Sequence, residues 1–316
     1  MPLCLDLPYA LTMAEMITLT ECPRDAFQGL PKFIPTDRKI AYMNRLVQAG
    51  VQRIDFGSFV SPKAVPQMAD TAVVFENLKT APGLYLIAIV ANLRGIEGIV
   101  AANHKFGHVG GRRIHAAGFP MSVNETFQQR NTNKGLDEAW AELKSMNDLC
   151  RVQKIELVVY LSMAFGNPYG ERHEPQRVIE FARRAVDLGA ATVQLADTVG
   201  VATASQVGET FAAVRAAVPG VQLGAHLHAT PATMQAKVQS ALEAGCRLFD
   251  SAIGGIGGCP FAEDELVGNM DTLQLIPLLR QLGHDTPYSV DRLLDCAAEA
   301  QELSRKFGAN GNGVPA

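Results

Sequence analysis

A strand-then-helix unit recurs eight times along this chain, at intervals of about 30 residues. Apolar runs rich in Val, Ile and Leu predict strands at 16–20, 53–56, 84–90, 113–117, 155–161, 191–195, 222–227 and 248–253. Helical periodicity follows each run. Ile40, Met43 and Val47 share one face, as do Val178, Phe181, Ala182 and Ala185, and Met234, Val238 and Leu242. Helices are predicted from Thr36 to Gly50 and at 66–79, 94–103, 136–151, 175–188, 203–217, 231–244 and 263–282. Polar stretches at 21–25 and around Asn124, Arg130, Asn131 and Asn133 read as loops. Three helices close alike, at Ala49-Gly50-Val51, Leu188-Gly189-Ala190 and Ala244-Gly245-Cys246. A glycine in that place ends a helix and frees the chain to start the next strand. Strands that are apolar without clean alternation belong to a parallel sheet covered by helices. Eight such units fit an α/β (β/α)8 TIM barrel better than an open doubly wound sheet. The glycines at 254–258 follow the last strand and do not spell G-x-G-x-x-G, which argues against a dinucleotide fold.

The expected division has four parts: an N-terminal extension (1–15), the barrel (16–285), an added C-terminal helical segment (286–307) and a flexible tail (308–316). With 47% hydrophobic residues among 316, the chain can bury its core without disulfide staples. The net charge of −4 gives no electrostatic footprint for nucleic acid or an anionic membrane. No run reaches the ~18 apolar residues of a membrane span, and residues 1–15 carry Asp6 and lack the basic start of a signal peptide. The six cysteines, at 4, 22, 150, 246, 259 and 296, show no C-x-x-C spacing and read as free thiols in a reducing compartment. The default setting is cytoplasmic, and the default assembly a homo-oligomer, a dimer in the simplest case.

In a barrel, chemistry sits where the strands end. Here those ends are polar: Arg24 and Asp25 after strand 1, Asp55 and Ser58 at strand 2, Asp197 at strand 6, His226 and His228 at strand 7, then Cys259 and Asn269 after strand 8. Each has an ordinary structural explanation. An aspartate in a turn is commonly a cap, and His104, His108, His115, His173 and His284 read as structural. Convergence on one rim is what favours a site. His226 and His228 at i and i+2 on a strand share a face. One carboxylate, two imidazoles and an amide oxygen make a donor set suited to Mg²⁺ or Mn²⁺ rather than a thiolate-bound ion.

Four stretches carry a resemblance over about residues 15–305: Pro23-Arg24-Asp25-Ala26-Phe27-Gln28; Ser58-Phe59-Val60-Ser61-Pro62-Lys63-Ala64-Val65-Pro66-Gln67-Met68; Asp197-Thr198-Val199-Gly200; and His226-x-His228 with Gly255-x-Gly257-Gly258-Cys259-Pro260-Phe261-Ala262. The chain resembles the 3-hydroxy-3-methylglutaryl-CoA lyase family of metal-dependent barrels. The resemblance implies a carbon–carbon lyase acting on an acyl-CoA. It implies that Asp25, His226, His228 and Asn269 hold a divalent cation, Mg²⁺ or Mn²⁺. Arg24 would neutralise the enolate formed on cleavage, and Cys259 would exchange its proton. Gln28, Asp55 and Asp197 would orient the substrate or the catalytic groups.

The chain also departs from the family pattern. Asp55 stands for a glutamate, Ala26 for a glycine and Val158 for an arginine, and one extra residue separates Cys259 from Asn269. These departures leave room for a related 3-hydroxyacyl-CoA as the substrate. The same barrel could also house a condensing synthase or aldolase, or a non-catalytic paralogue that binds CoA esters. The Cys259 loop argues against the condensing enzyme, and the retained Arg24, Asp25, His226, His228 and Cys259 argue against the non-catalytic one.

Overall fold

The computed structural model describes residues 15–107, 110–257 and 267–308. Eight strands form a closed barrel: β1 (Thr18–Glu21), β2 (Arg53–Ser58), β3 (Tyr85–Ile89), β4 (Ile114–Ser122), β5 (Glu156–Ser162), β6 (Thr192–Asp197), β7 (Gln222–Leu227) and β8 (Leu248–Ser251). They pair in chain order and all in parallel, and β1 closes on β8 with Thr18 opposite Leu248. The expected barrel is therefore the observed one.

Helices surround the strands, each burying one stripe. Pro175–Asp187 buries Val178, Ala182 and Ala185, spaced by four and three residues. Asn92 caps Leu93–Phe106 by accepting from the Gly95 amide, and Thr203 with Gln206 forms a capping box on Ala204–Ala217. The last helix, Val290–Phe307, buries Leu293, Cys296, Ala300 and Leu303 and lies beside Thr36–Gln48. Arg45 reaches Glu299 at 2.6 Å across that contact. Glu15–Met16 and His284–Asp285 pair as a short parallel ribbon outside the barrel. No helix among the described residues is long and apolar enough to cross a membrane.

Several elements differ from the sequence expectation, each for a local reason. The stretch read as a polar turn ends β1 at Glu21 and then forms a short helix, Pro23–Gln28. Pro23 supplies a φ already suited to a first helical position, and Asp25 complements the dipole in that first turn. The loop expected around Asn124 contains a helix, Glu125–Thr132. Asn124 caps it, and Asn133 ends it in the left-handed region at φ 55°. The expected helix at 66–79 divides into a 3-10 turn, Pro66–Met68, and a helix, Thr71–Asn77.

The helix expected at 263–282 begins at Thr272, where Asp271 accepts from the Leu273 amide. Before it, Asn269 and Asp271 form bridges to His228 and Ala252. Strand β4 runs through Gly118 and Pro120 to Ser122, five residues beyond the expected end. Gly118 is a matter of space: a Cβ there would sit 2.5 Å from Ile89 Cδ1 and 3.0 Å from Tyr160 Cε2. Ile87, Ile89, Ala116, Val158 and Tyr160 make an apolar cluster of their own, distinct from the larger one between strands and helices. Residues 1–14 of the N-terminal extension, the Cys259 loop at 258–266 and the tail from 309 lie outside the described residues.

Candidate metal centre and active-site rim

Asp25, His226 and His228 meet at the C-terminal end of the barrel, with one ligand atom of each within 4.8 Å of the others. Three different constructions bring them together. Asp25 is lifted off β1 by the turn of helix Pro23–Gln28. His226 points inward from β7, and His228 follows the strand's last residue on the same face. The chain from 267 to 271 returns over the rim, so that Asn269 bridges to His228.

The hydrogen bonds leave the right atoms free for a cation. Nδ1 of His226 lies 3.1 Å from Asp250 Oδ2, and Nδ1 of His228 lies 2.8 Å from the Val267 carbonyl. Both rings thereby keep Nε2 as the remaining donor. Asn269 donates through Nδ2 to Asp25 Oδ2 (2.8 Å) and to the Ile256 carbonyl (3.0 Å), which leaves its amide oxygen available. Asp25 Oδ1 accepts from Arg24 Nη1 (2.9 Å) and Gln28 Nε2 (3.0 Å). Burial raises the Asp25 carboxyl, but Arg24, the two imidazoles and the Asn269 amide outweigh it and hold the group down at about 2. Burial and the neighbouring His226 push His228 below its usual value, which favours a neutral ring. An ionised carboxylate, two imidazole nitrogens and an amide oxygen fit Mg²⁺ or Mn²⁺.

Gly257 brings the loop onto this cluster. Its φ of +105° is one that a side chain rarely adopts, and a Cβ there would stand 2.6 Å from Asn269 Nδ2 and 3.1 Å from Ala26 Cα. The backbone entering the Cys259 loop thus passes directly over the candidate ligands. Cys259 itself lies outside the described residues.

Arg24 and Asp55 form a buried pair beside the trio. Arg24 Nε and Nη2 both donate to Asp55 Oδ2, at 3.0 and 2.5 Å. Asp55 Oδ1 is buried without a partner. Burial pushes the Asp55 carboxyl up to about 6, against the pull of Arg24.

Two residues expected to orient the substrate or the catalytic groups bond to other side chains around the candidate ligands. Gln28 is spent on Asp25, as described. Asp197 is the outward-facing neighbour of Ala196 on β6, and Lys237 from helix Pro231–Glu243 reaches it at 2.7 Å. Both Asp197 oxygens also accept from the Ala202 amide at 3.2 Å. Lys237 donates further to the carbonyls of Gly200 and His228, both at 3.0 Å. Its ammonium therefore has all three protons engaged.

Sequence reasoning passed over four residues here: Lys237, Asp250, Gln194 and Tyr160. Tyr160 stands edge-on to His226, centroids 5.7 Å apart.

The fold and this rim define a TIM barrel with a candidate metal site where its strands end. The HMGL-like family model matches residues 16–299, and the chain belongs to that family. It is 32% identical over 297 residues to mouse mitochondrial hydroxymethylglutaryl-CoA lyase, covering 93% of this chain and 88% of the relative. Among solved structures, the HMG-CoA lyase of Brucella melitensis superposes with a TM-score of 0.84 at 33% identity, over 92% of this chain and 99% of the other. An HMG-CoA lyase of Acinetobacter baumannii, in complex with coenzyme A and 3-methylmalate, gives 0.82 at 29% identity, over 95% and 98%.

Proposed function

We propose that this protein is a divalent-metal-dependent carbon–carbon lyase that cleaves 3-hydroxy-3-methylglutaryl-CoA to acetyl-CoA and acetoacetate. The single observation that carries the reading is the meeting of Asp25, His226 and His228 beside the Arg24–Asp55 pair in a chain of the HMGL-like family. The names of its relatives support the substrate, and the coenzyme A in one of those structures supports the acyl carrier. Four buried free thiols, Cys22, Cys150, Cys246 and Cys296, suit a cytoplasmic setting.

Asp25, His226, His228 and Asn269 are the ligands in this reading. A bound divalent cation supplies Lewis acidity to the substrate's oxygen atoms. Asp55, near 6 and with Oδ1 unpartnered, is matched to taking the proton of the tertiary hydroxyl around neutral pH. As that hydroxyl becomes a ketone, the electrons of the broken carbon–carbon bond move onto the thioester as an enolate. The Arg24 guanidinium, fixed between two carboxylates, offers positive charge where the enolate oxygen develops. Cys259 delivers the proton that turns the enolate into the acetyl thioester.

The test is direct. Purified protein with Mg²⁺ or Mn²⁺ is incubated with 3-hydroxy-3-methylglutaryl-CoA and acetyl-CoA release is followed. Metal-loaded protein that cleaves neither this thioester nor any of a panel of 3-hydroxyacyl-CoAs would end the reading.

One observation favours a second substrate. Val158, which stands for a family arginine, is fully buried in the apolar cluster with Ile87, Ile89, Ala116 and Tyr160. A site lacking that cation would favour a 3-hydroxyacyl-CoA with an uncharged C3 substituent, which the same panel would reveal.

A further inference from the structure

His226 can serve as a metal ligand only if its ring is held at one angle and in one tautomer, and the side chains behind it form a chain across three strands. Asp250 on β8 is 1% exposed. Its Oδ2 faces His226 Nδ1 at 3.1 Å, and its Oδ1 accepts from Gln194 Nε2 at 2.9 Å. Gln194 is fully buried and belongs to β6, so its side chain must cross β7 to reach β8. It crosses at Gly224, its register partner on β7. A Cβ at Gly224 would overlap the Gln194 amide, coming within 2.6 Å of its carbon. Gly224 and His226 are two residues apart and share the inward face. The glycine therefore vacates the space directly below the histidine for the glutamine that braces the histidine's partner.

We propose that Gln194 and Asp250 are positioning residues that hold His226 with Nδ1–H toward Asp250 and Nε2 toward Asp25 and His228. The proposal rests on the metal reading above. A carboxylate accepting Nδ1–H fixes the tautomer, sets the ring plane and strengthens Nε2 as a donor. Gln194 does for Asp250 what Asp250 does for His226: its amide hydrogen bond stops the carboxylate from rotating. Tyr160 edge-on at 5.7 Å and His228 at 5.4 Å confine the ring from other sides. Asp250 and Gln194 lie below the rim and would touch no substrate, so their effect appears in metal binding before it appears in turnover.

The experiment measures Mn²⁺ affinity by calorimetry on the metal-free full chain. It compares wild type, His226→Ala, Asp250→Asn, Gln194→Met, Gly224→Ala and the Asp250→Asn/Gln194→Met pair, with circular dichroism confirming the fold of each. Asp250→Asn is expected to weaken Mn²⁺ binding about 10- to 100-fold. Gln194→Met and Gly224→Ala should each weaken it less, by up to about 10-fold, because they loosen the brace and leave the carboxylate. The pair should fall short of the sum of its parts, since both act through one ring. Ring ¹⁵N shifts should show His226 losing its single Nδ1–H tautomer in Asp250→Asn. Wild-type affinity in a folded Asp250→Asn, or effects that add fully, would overturn the proposal. Should Asp250→Asn fail to fold, unchanged affinity in both Gln194→Met and Gly224→Ala would overturn it. Unchanged affinity in His226→Ala would instead remove the metal reading, and the relay with it.

Discussion

Arg24 donates through Nε and Nη2 to a single oxygen of Asp55, Oδ2, and leaves Oδ1 of the same carboxylate without a partner. Both residues are buried, so the pair cannot be dissected cheaply. Arg24→Gln removes the only cation facing Asp55 among the described residues, and a buried carboxylate stripped of its partner costs roughly 3–5 kcal/mol. The same change removes the charge at the developing enolate, so turnover should fall by about 10²–10³-fold or more. Arg24→Lys keeps the charge but loses the fork, and should lie between wild type and Arg24→Gln in both melting temperature and acetyl-CoA release. A fully active Arg24→Gln would remove the guanidinium from the mechanism.

Cys259 offers a cleaner separation of roles. It is not among the expected ligands, and the backbone of its loop reaches the cluster through Gly257. Cys259→Ala should lower turnover by about 10²–10⁴-fold, the range for loss of a positioned proton donor, while Mn²⁺ affinity and the melting temperature stay at wild-type values. Titration with Mn²⁺ beside a turnover assay checks both halves. Loss of metal binding in this variant would recast the thiol as a ligand.

The barrel was legible because its signal is repeated: apolar runs and 3.6-residue stripes alternate eight times, and errors at single ends do not change the count. His226 and His228 were legible because two imidazoles two residues apart at a strand end are rare as packing. What lay beneath the rim was not. Asp250 sits inside an apolar strand, and its role depends on Gln194 crossing a neighbouring strand at Gly224, a contact no local pattern encodes. A place at a strand end points Asp197 to the reaction centre, although parity with Gln194 and Ala196 turns it outward. Lys237 did leave a trace: it falls on the buried stripe of its helix with Met234, Val238 and Ala241, where a lysine needs a partner.

That partner makes Asp197 and Lys237 a test of position against chemistry. Lys237→Met leaves the Asp197 carboxylate buried with, among the described residues, only the Ala202 amide as a hydrogen-bond donor, and should destabilise the fold by roughly 3–5 kcal/mol. Replacing both, as Asp197→Leu/Lys237→Met, should recover much of that loss, because an apolar pair of similar volume avoids the desolvation of two charges. Thermal unfolding of the three proteins decides it. If Asp197→Asn instead lowered turnover with stability unchanged, Asp197 would be touching the substrate after all.

Glu21 gives the pH dependence a definite sign. It ends β1 with its side chain buried, Oε1 accepting from the Ile253 amide at 2.8 Å and Oε2 lying 2.5 Å from Thr272 Oγ1. Burial pushes its carboxyl up to about 8, more than those hydrogen bonds pull it down. The unfolded chain releases this proton near the ordinary carboxylate value, about 4.3, whereas the folded protein keeps it until about pH 8. Between those limits the native state binds the extra proton, so stability must fall as pH rises, by at most about 1.4 kcal/mol per pH unit. The contribution is fully present below the unfolded value and gone above the folded one. Glu21→Gln keeps an acceptor for Ile253, can donate to the Thr272 oxygen once that hydroxyl turns its proton to Ser251 Oγ at 2.9 Å, and cannot ionise. It should therefore lose this slope and exceed wild type in stability at pH 8 and above. Urea unfolding of both proteins at pH 5, 7 and 9 checks this, and parallel curves would mean that Glu21 is ionised throughout and that its burial is offset by more than Thr272 and Ile253.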